Sequence, residues 1–240
     1  MDIEQVWEYA DWTSEARNLL IGLHKFPKDS KIILILRHSH RESSDDPWKV
    51  SEFKLTPVGH EIARRFGEKL PKQRPIRLFY SFLDRCKETA QGILDGFEKK
   101  NGIGFLMNSL DVLVDFGMQP DAFFEEMTKL SLSQFLHRWK EGHYSPEIIT
   151  PFNQYCQNAA RIIWQNLKNS PENGIDLHVS HDLIILCYRL GWFGIAPNNY
   201  WPSFLGGFAF TINEKKIILL DHDGLKTTKI PSWWKEKIKL

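Results

Sequence analysis

Residues 32 to 36, Ile-Ile-Leu-Ile-Leu, form an unbroken aliphatic run and predict a strand buried on both faces. Ile76 to Ser81 and Ile175 to Ser180 predict two further buried strands, and Leu110 to Val114 a third. Helical periodicity covers residues 3 to 25, with Ile3, Val6, Trp7, Ala10, Leu19, Leu20 and Leu23 as its apolar set. Pro27 to Ser30 breaks that pattern before the first strand. Thr56-Pro57 predicts a helix start, with Thr56 as cap and Pro57 in the first turn, running to about Leu70. Asp84 to about Phe97 and Asp182 to Leu190 predict two more helices. Phe208 to Ile212 and Lys216 to Asp221 predict a hairpin across Asn213-Glu214-Lys215.

The order strand, polar loop, helix recurs at 31 to 70, 76 to 97 and 175 to 190. This predicts an α/β fold: a three-layer α/β/α sandwich with a mostly parallel central sheet and crossover helices. Residues 116 to 168 change character, being rich in Phe, Met, Trp and Gln, and predict a helical cap insertion that leads into a long helix near 151 to 168. The expected organisation is a single domain over 1 to 240. Its core would span about 31–115 and 170–225, preceded by an N-terminal helix over 3–25 and followed by a basic tail over 226–240. No internal repeat is visible.

Composition narrows the function. The chain is 240 residues long, 42% hydrophobic and 25% charged, so it can bury a sizeable core. Its net charge of +1 argues against a general nucleic-acid-binding surface and confines any anion site to a local cluster. No apolar run reaches the roughly 18 residues of a membrane span, and the acidic start lacks an export pattern. The three widely spaced cysteines, Cys86, Cys156 and Cys187, suit reduced thiols and a cytoplasmic location.

Chemistry concentrates at predicted strand ends. Arg37-His38-Ser39-His40-Arg41 follows the first strand, Ser81 and Arg85 follow the second, and His181-Asp182 follows Ser180. In open α/β sheets ligands bind beyond the carboxyl ends of the strands. Arginine offers a planar set of donors that matches phosphate oxygens, and a neutral imidazole is a nucleophile. The expected catalytic set is therefore His38, Asp182, Arg37, Arg85 and His181. Arg37, Arg41, Arg85, His181 and Ser39 are expected to bind substrate, a phosphorylated small molecule or phosphopeptide. In this scheme His38 attacks phosphorus, the arginines and His181 hold the oxygens, and Asp182 protonates the leaving group. No cofactor and no metal are implied.

These residues resemble the histidine phosphatase superfamily, whose nucleophile motif is Arg-His-Gly. Arg37-His38-Ser39 matches two of its three positions. The histidine acid phosphatase branch extends the motif to Arg-His-Gly-x-Arg-x-Pro; Arg41 matches the second arginine, and Ser43 stands in place of the proline. Leu55-Thr56-Pro57-Val58-Gly59 matches the family's Leu-Thr-Pro-x-Gly stretch. Ser81, Arg85, Thr89 and Ala90 resemble its second arginine helix, and His181-Asp182 its His-Asp pair. The resemblance implies a phosphoglycerate mutase-like fold with a helical cap, and a metal-independent phosphatase with a phosphohistidine intermediate. It is closest in motif to the acid phosphatase branch. In the compact branch the acid is usually a glutamate after the second-arginine helix; Asp111 and Asp115 lie in that region here.

Alternatives remain at this level. A mutase of the same fold and a non-catalytic phospholigand-binding protein share the arginine cluster. His38-Ser39-His40 also fits a metal-dependent amidohydrolase, although three arginines would repel a dication. Cys86, beside Arg85, is either an activated thiol or a buried structural one. Trp48, Phe82, Phe116, Phe123, Phe124 and Trp139 either line a pocket under the cap or belong to the core. Trp233-Trp234 and the five lysines of the tail either fold onto the core or face an acidic surface.

Overall fold

The computed structural model describes residues 2–50, 52–213 and 215–234. Two helices, α1 (Ile3–Tyr9) and α2 (Asp11–Leu23), replace the single N-terminal helix expected from periodicity. Ala10 between them is extended, and the buried Thr13 hydroxyl donates to Trp7 O at 2.9 Å and Ala10 O at 2.7 Å. Strand β1 (Ile32–Arg37) leads through the four-residue α3 (Pro47–Val50) to α4 (Pro57–Lys69). Thr56 caps α4 by accepting from Gly59 N at 3.0 Å, and Pro57 occupies its first turn. Then come β2 (Ile76–Tyr80), α5 (Asp84–Lys99) and β3 (Gly104–Ser109).

The third strand thus precedes the expected site. Leu110 to Val114 instead holds a 3-10 turn at Asp111–Leu113. Apolar composition pointed to the wrong segment because β3 is an edge strand, paired only with β2. Its hold comes from backbone pairing, and Phe105 faces solvent. The insertion supplies α6 (Pro120–Met127), α7 (Leu132–Lys140) and α8 (Phe152–Asn166). β4 (Ile175–Ser180), α9 (Asp182–Phe193), β5 (Gly207–Ile212), β6 (Lys216–Asp221) and β7 (Gly224–Lys229) complete the chain.

The sheet runs β3-β2-β4-β1-β5-β6-β7. Pairings from β3 to β1 are parallel; those from β1 to β7 are antiparallel. The sheet is therefore mixed rather than mostly parallel, because the hairpin joins the edge of β1 and β7 extends it. β7 also corrects the reading of a tail from residue 226. Its alternating Leu, Lys and Thr residues with lysines on an exposed edge carry little apolar signal. Trp233 and Trp234 pack on Trp164, with ring centroids 5.5 and 4.9 Å away. Residues 235–240 of the predicted tail lie outside the described residues.

Alternation along β1 explains the three layers. Ile32, Leu34 and Leu36 join a core with α1, α2, α4 and α5. Ile33 and Ile35 point to the other face and join a core with α7, α8 and α9. Helix α8 packs into this second core through Ala159, Ala160, Ile163 and Trp164, all fully buried. No helix among the described residues is long and apolar enough to cross a membrane.

Candidate active site

The adjacent parallel strands β2, β4 and β1 bring their carboxyl ends together. Backbone bonds fix them: His38 N donates to Ser180 O at 2.9 Å and Ser81 N to Val179 O at 3.0 Å. His38, Ser81, Arg85 and His181 are all buried there. The rings of His38 and His181 lie 5.5 Å apart.

His38 Nδ1 is 2.8 Å from Ser39 O. A carbonyl oxygen only accepts, so Nδ1 carries the proton and Nε2 keeps the lone pair. Burial, then His181, Arg37 and Arg85, hold the His38 pKa well below its ordinary value, so the ring is neutral. His181 has the opposite tautomer. Arg85 Nη2 lies 3.4 Å from its Nδ1 and must donate, so Nε2–H points to Ser81 Oγ at 2.9 Å. Burial, then Arg85, brings the His181 pKa down to about 3. Both of its nitrogens thus face protein groups, and it orients Arg85.

Arg37, Arg41 and Arg85 converge on this point. Burial, then Arg85 and Arg37, brings the Arg41 pKa down to about 10, and burial lowers that of Arg85. Arg37 Nη2 pairs with Asp182 Oδ2 at 2.9 Å and Nη1 donates to Pro202 O at 2.9 Å. The Nε atoms of Arg37 and Arg41 are buried without a hydrogen-bond partner. Burial works against charge on Asp182, but Arg37, the Leu183 amide at 2.9 Å and the Trp201 indole at 3.1 Å outweigh it. Its carboxyl lies below the ordinary aspartate value.

Ser39, expected among the substrate-binding groups, is turned away. Its hydroxyl donates to Gly59 O at 2.7 Å and its amide to Thr89 Oγ1 at 2.9 Å. Gly59 lets α4 press on this loop, since a Cβ there would lie 2.1 Å from His40 O. His40 Nδ1 lies 2.9 Å from Thr56 Oγ1, and its ring packs on Trp12 and Phe204. Burial pushes the Cys86 thiol up to about 12, which makes it a structural group. Asp111 and Asp115 are exposed, and Asp115 accepts from Gly117 N at 2.7 Å.

Among the aromatic residues weighed as pocket lining, Trp139 belongs to the core, and the partly buried Phe116 and Phe123 pack against it. Phe82 and Trp48 are exposed, and Trp48 meets Phe124 of α6 at 5.0 Å. The site residues that escaped the sequence reading lie before β5. Trp201 binds Asp182, Pro202 binds Arg37, and the Phe204 ring sits 4.4 Å from the Arg37 guanidinium. Their signal was the aromatic run Tyr200-Trp201-Pro202-Ser203-Phe204 in a loop that ends in Gly206-Gly207.

The model of the histidine phosphatase superfamily (branch 1) matches residues 33–214. The chain belongs to that superfamily. The match is to branch 1, and nothing found ties the chain more closely to the acid phosphatase branch. Among solved structures, the vanadate complex of mycobacterial glucosyl-3-phosphoglycerate phosphatase is 14% identical, with a TM-score of 0.50; the alignment covers 82% of this chain and 96% of that one. Phosphoserine phosphatase from Entamoeba histolytica with 3-phosphoglyceric acid is 18% identical, with a TM-score of 0.49, covering 84% and 97%. Phosphoglycerate mutase from Bacillus anthracis is 16% identical, with a TM-score of 0.44, covering 85% and 94%. No curated protein sequence matches the chain. For this histidine phosphatase superfamily member the phosphoglycerate mutase-like fold expected from its motifs holds, with a mixed sheet.

Proposed function

We propose that the protein is a metal-independent phosphatase that hydrolyses phosphomonoesters through a phosphohistidine on His38. One observation carries this reading: Arg37 and Arg85 flank a buried neutral imidazole, Arg41 lies close enough to both arginines to be perturbed by them, and Asp182 is the carboxylate that acts on the cluster. Three positive charges against one negative leave the complement of a phosphate dianion. Guanidinium donors are suited to its oxygens.

In the reaction, His38 Nε2 attacks phosphorus in line with the ester oxygen. The P–N bond forms as the P–O bond breaks, and the alkoxide takes the Asp182 proton. Water then attacks the phosphohistidine with Asp182 as base, which frees His38 and inorganic phosphate. In the free protein Arg37 favours the Asp182 anion. A bound dianion shares Arg37 and adds negative charge beside Asp182, which raises its pKa toward the protonated form that the first step needs. The position of the acid on His181-Asp182 is the feature shared with the acid phosphatase motif. Buried free Cys86, Cys156 and Cys187 support a reducing, cytoplasmic setting.

The test is His38→Ala in the presence of chelator, with nitrophenyl phosphate as substrate. Turnover falls by roughly 10³-fold or more, and ³²P label no longer appears on the protein after a rapid quench that avoids acid. Normal turnover by the variant overturns the mechanism. Phosphate release without isomerisation of the substrate separates hydrolysis from a mutase reaction.

A further inference from the structure

The loop from Tyr200 to Gly207 holds three contacts on the proposed phosphate site, and one of its sides borders open space. Trp201, Pro202 and Phe204 touch Asp182 and Arg37. On its other side Tyr200, Trp201 and Ser203 line a cavity of about 900 Å³. Leu205 within it is held in the left-handed region, with φ +57°. Such a conformation persists only where neighbouring bonds over-determine it. Part of that constraint is internal to the site: Leu205 N donates to Arg37 O at 3.2 Å, and Arg37 N donates to Gly206 O at 2.8 Å.

Tyr200 also stacks on His222 and lies under Arg189, and Leu205 is buried in the core, but the bonds that tie separate parts of the loop together come from one carboxylate on a different element. Glu15, on α2, accepts from Ser203 N at 2.8 Å on Oε2. Its Oε1 accepts from Gly207 N at 2.9 Å and from the Tyr200 hydroxyl. Both ends of the loop and its middle thus converge on a single side chain. The fit is close: a Cβ at Gly206 would lie 2.3 Å from Glu15 Oε2. Helix α2 lies outside residues 33–214, the part of the chain that matches the family.

We infer that Glu15 is a positioning residue for the phosphate site, setting Arg37 and Asp182 by clamping the loop that carries Trp201, Pro202 and Phe204. This rests on the phosphatase reading for its kinetic consequences but not for its binding consequence. Arg37 is held by Pro202 and Phe204, so releasing the loop weakens the grip on phosphate itself. Asp182 is held by Trp201, so the same release removes part of what aims the proton donor.

The test is Glu15→Gln, which keeps the shape but turns an N–H against the Ser203 N–H. Inorganic phosphate affinity, read by calorimetry, is expected to fall roughly tenfold. Turnover of nitrophenyl phosphate is expected to fall roughly tenfold, and that of an alkyl phosphate roughly a hundredfold. Trp201→Phe, which keeps the ring bulk but loses the indole N–H, is expected to reproduce only the alkyl-selective part. In the double variant the alkyl-to-aryl ratio should change no further than in Glu15→Gln alone, because both substitutions break the same contact. A Glu15→Gln protein that melts lower but keeps wild-type phosphate affinity and leaving-group ratio overturns the inference. So do fully additive ratios in the double variant. Tyr200→Phe, which removes one donor to Glu15 and leaves the loop sequence intact, should give a smaller loss of the same kind if Glu15→Gln fails to fold. A wild-type protein without phosphatase activity would overturn the phosphatase reading instead, and the phosphate titration would then decide the role of Glu15.

Discussion

Arginines lie near both ends of the parallel strands, and the two ends treat them differently. Toward the amino ends of β2 and β4, Arg77 faces Asp176 in register. Its Nε donates to Oδ1 at 2.9 Å and Nη2 to Oδ2 at 2.6 Å. Ser170 donates to the same carboxylate, and the Asn166 and Asn169 carbonyls accept from Arg77 Nη2 and Nη1. At the carboxyl ends Arg37, Arg41 and Arg85 share Asp182 and raise the local potential against one another. One guanidinium matched to one carboxylate, with every nitrogen hydrogen-bonded, is a device for holding strands. Several guanidiniums around one carboxylate leave an excess of positive charge that suits the proposed anionic ligand.

Removing an arginine from each end separates the two roles most sharply. Arg77→Ala leaves the Asp176 carboxylate buried without its cation. It is expected to cost about 3–5 kcal/mol in urea unfolding while leaving kcat/KM per folded molecule unchanged. Arg85→Ala is expected to cut kcat/KM by roughly 10²–10³-fold. Its melting temperature should stay level or rise, since one of three mutually repelling charges is gone. If Arg85→Ala destabilises as much as Arg77→Ala, the carboxyl-end cluster is structural and the contrast fails.

How much of this was legible follows from how each piece is stabilised. β1 was plain because both of its faces are buried, so every position from Ile32 to Leu36 is aliphatic. His38, Arg85 and His181-Asp182 were plain because each follows a strand whose end is set by local pattern. The edge strands β3 and β7 were not, because pairing to a single neighbour asks little of their side chains. The loop before β5 was hidden for another reason. Its anchor, Glu15, lies 188 residues before Ser203, and no local pattern connects them. The groups proposed to do chemistry were thus more legible in the sequence than the group proposed to aim them.

The proposed proton donor, Asp182, offers a finer cut within the carboxyl-end cluster. Arg37 keeps the free Asp182 carboxyl below the ordinary aspartate value, so its acid form thins about tenfold for each pH unit above that point. For an alkyl phosphate, kcat/KM should therefore fall as pH rises from 4 to 7. Burial and its cationic neighbours hold the His38 pKa well below its ordinary value, so the proposed nucleophile is neutral near pH 7, and nitrophenyl phosphate, whose leaving group needs no proton, should lack the part of the slope that the Asp182 proton sets. Asp182→Asn should lower alkyl phosphate turnover roughly 10²-fold, lower nitrophenyl phosphate turnover only about threefold, and abolish the alkyl slope. Equal losses on both substrates would move the acid role elsewhere, with Asp115 next to replace.

Ser39 is the smallest and most discriminating case, because it lies at the carboxyl end of β1 yet bonds like a residue of the other end. It is fully buried, and both its hydroxyl and its amide are spent on Gly59 O and Thr89 Oγ1. Glycine, the family's residue at this position, would lose the hydroxyl bond and gain backbone freedom in the unfolded chain. Ser39→Gly is therefore expected to cost about 1–2 kcal/mol in urea unfolding and to leave kcat/KM within about twofold. A tenfold rise in kcat/KM would show instead that the serine obstructs the approach of phosphate to His38. Unchanged activity with reduced stability would place Ser39 with Arg77 and Asp176. Where a side chain spends its hydrogen bonds, rather than the strand end it occupies, then decides whether it serves the fold or the ligand.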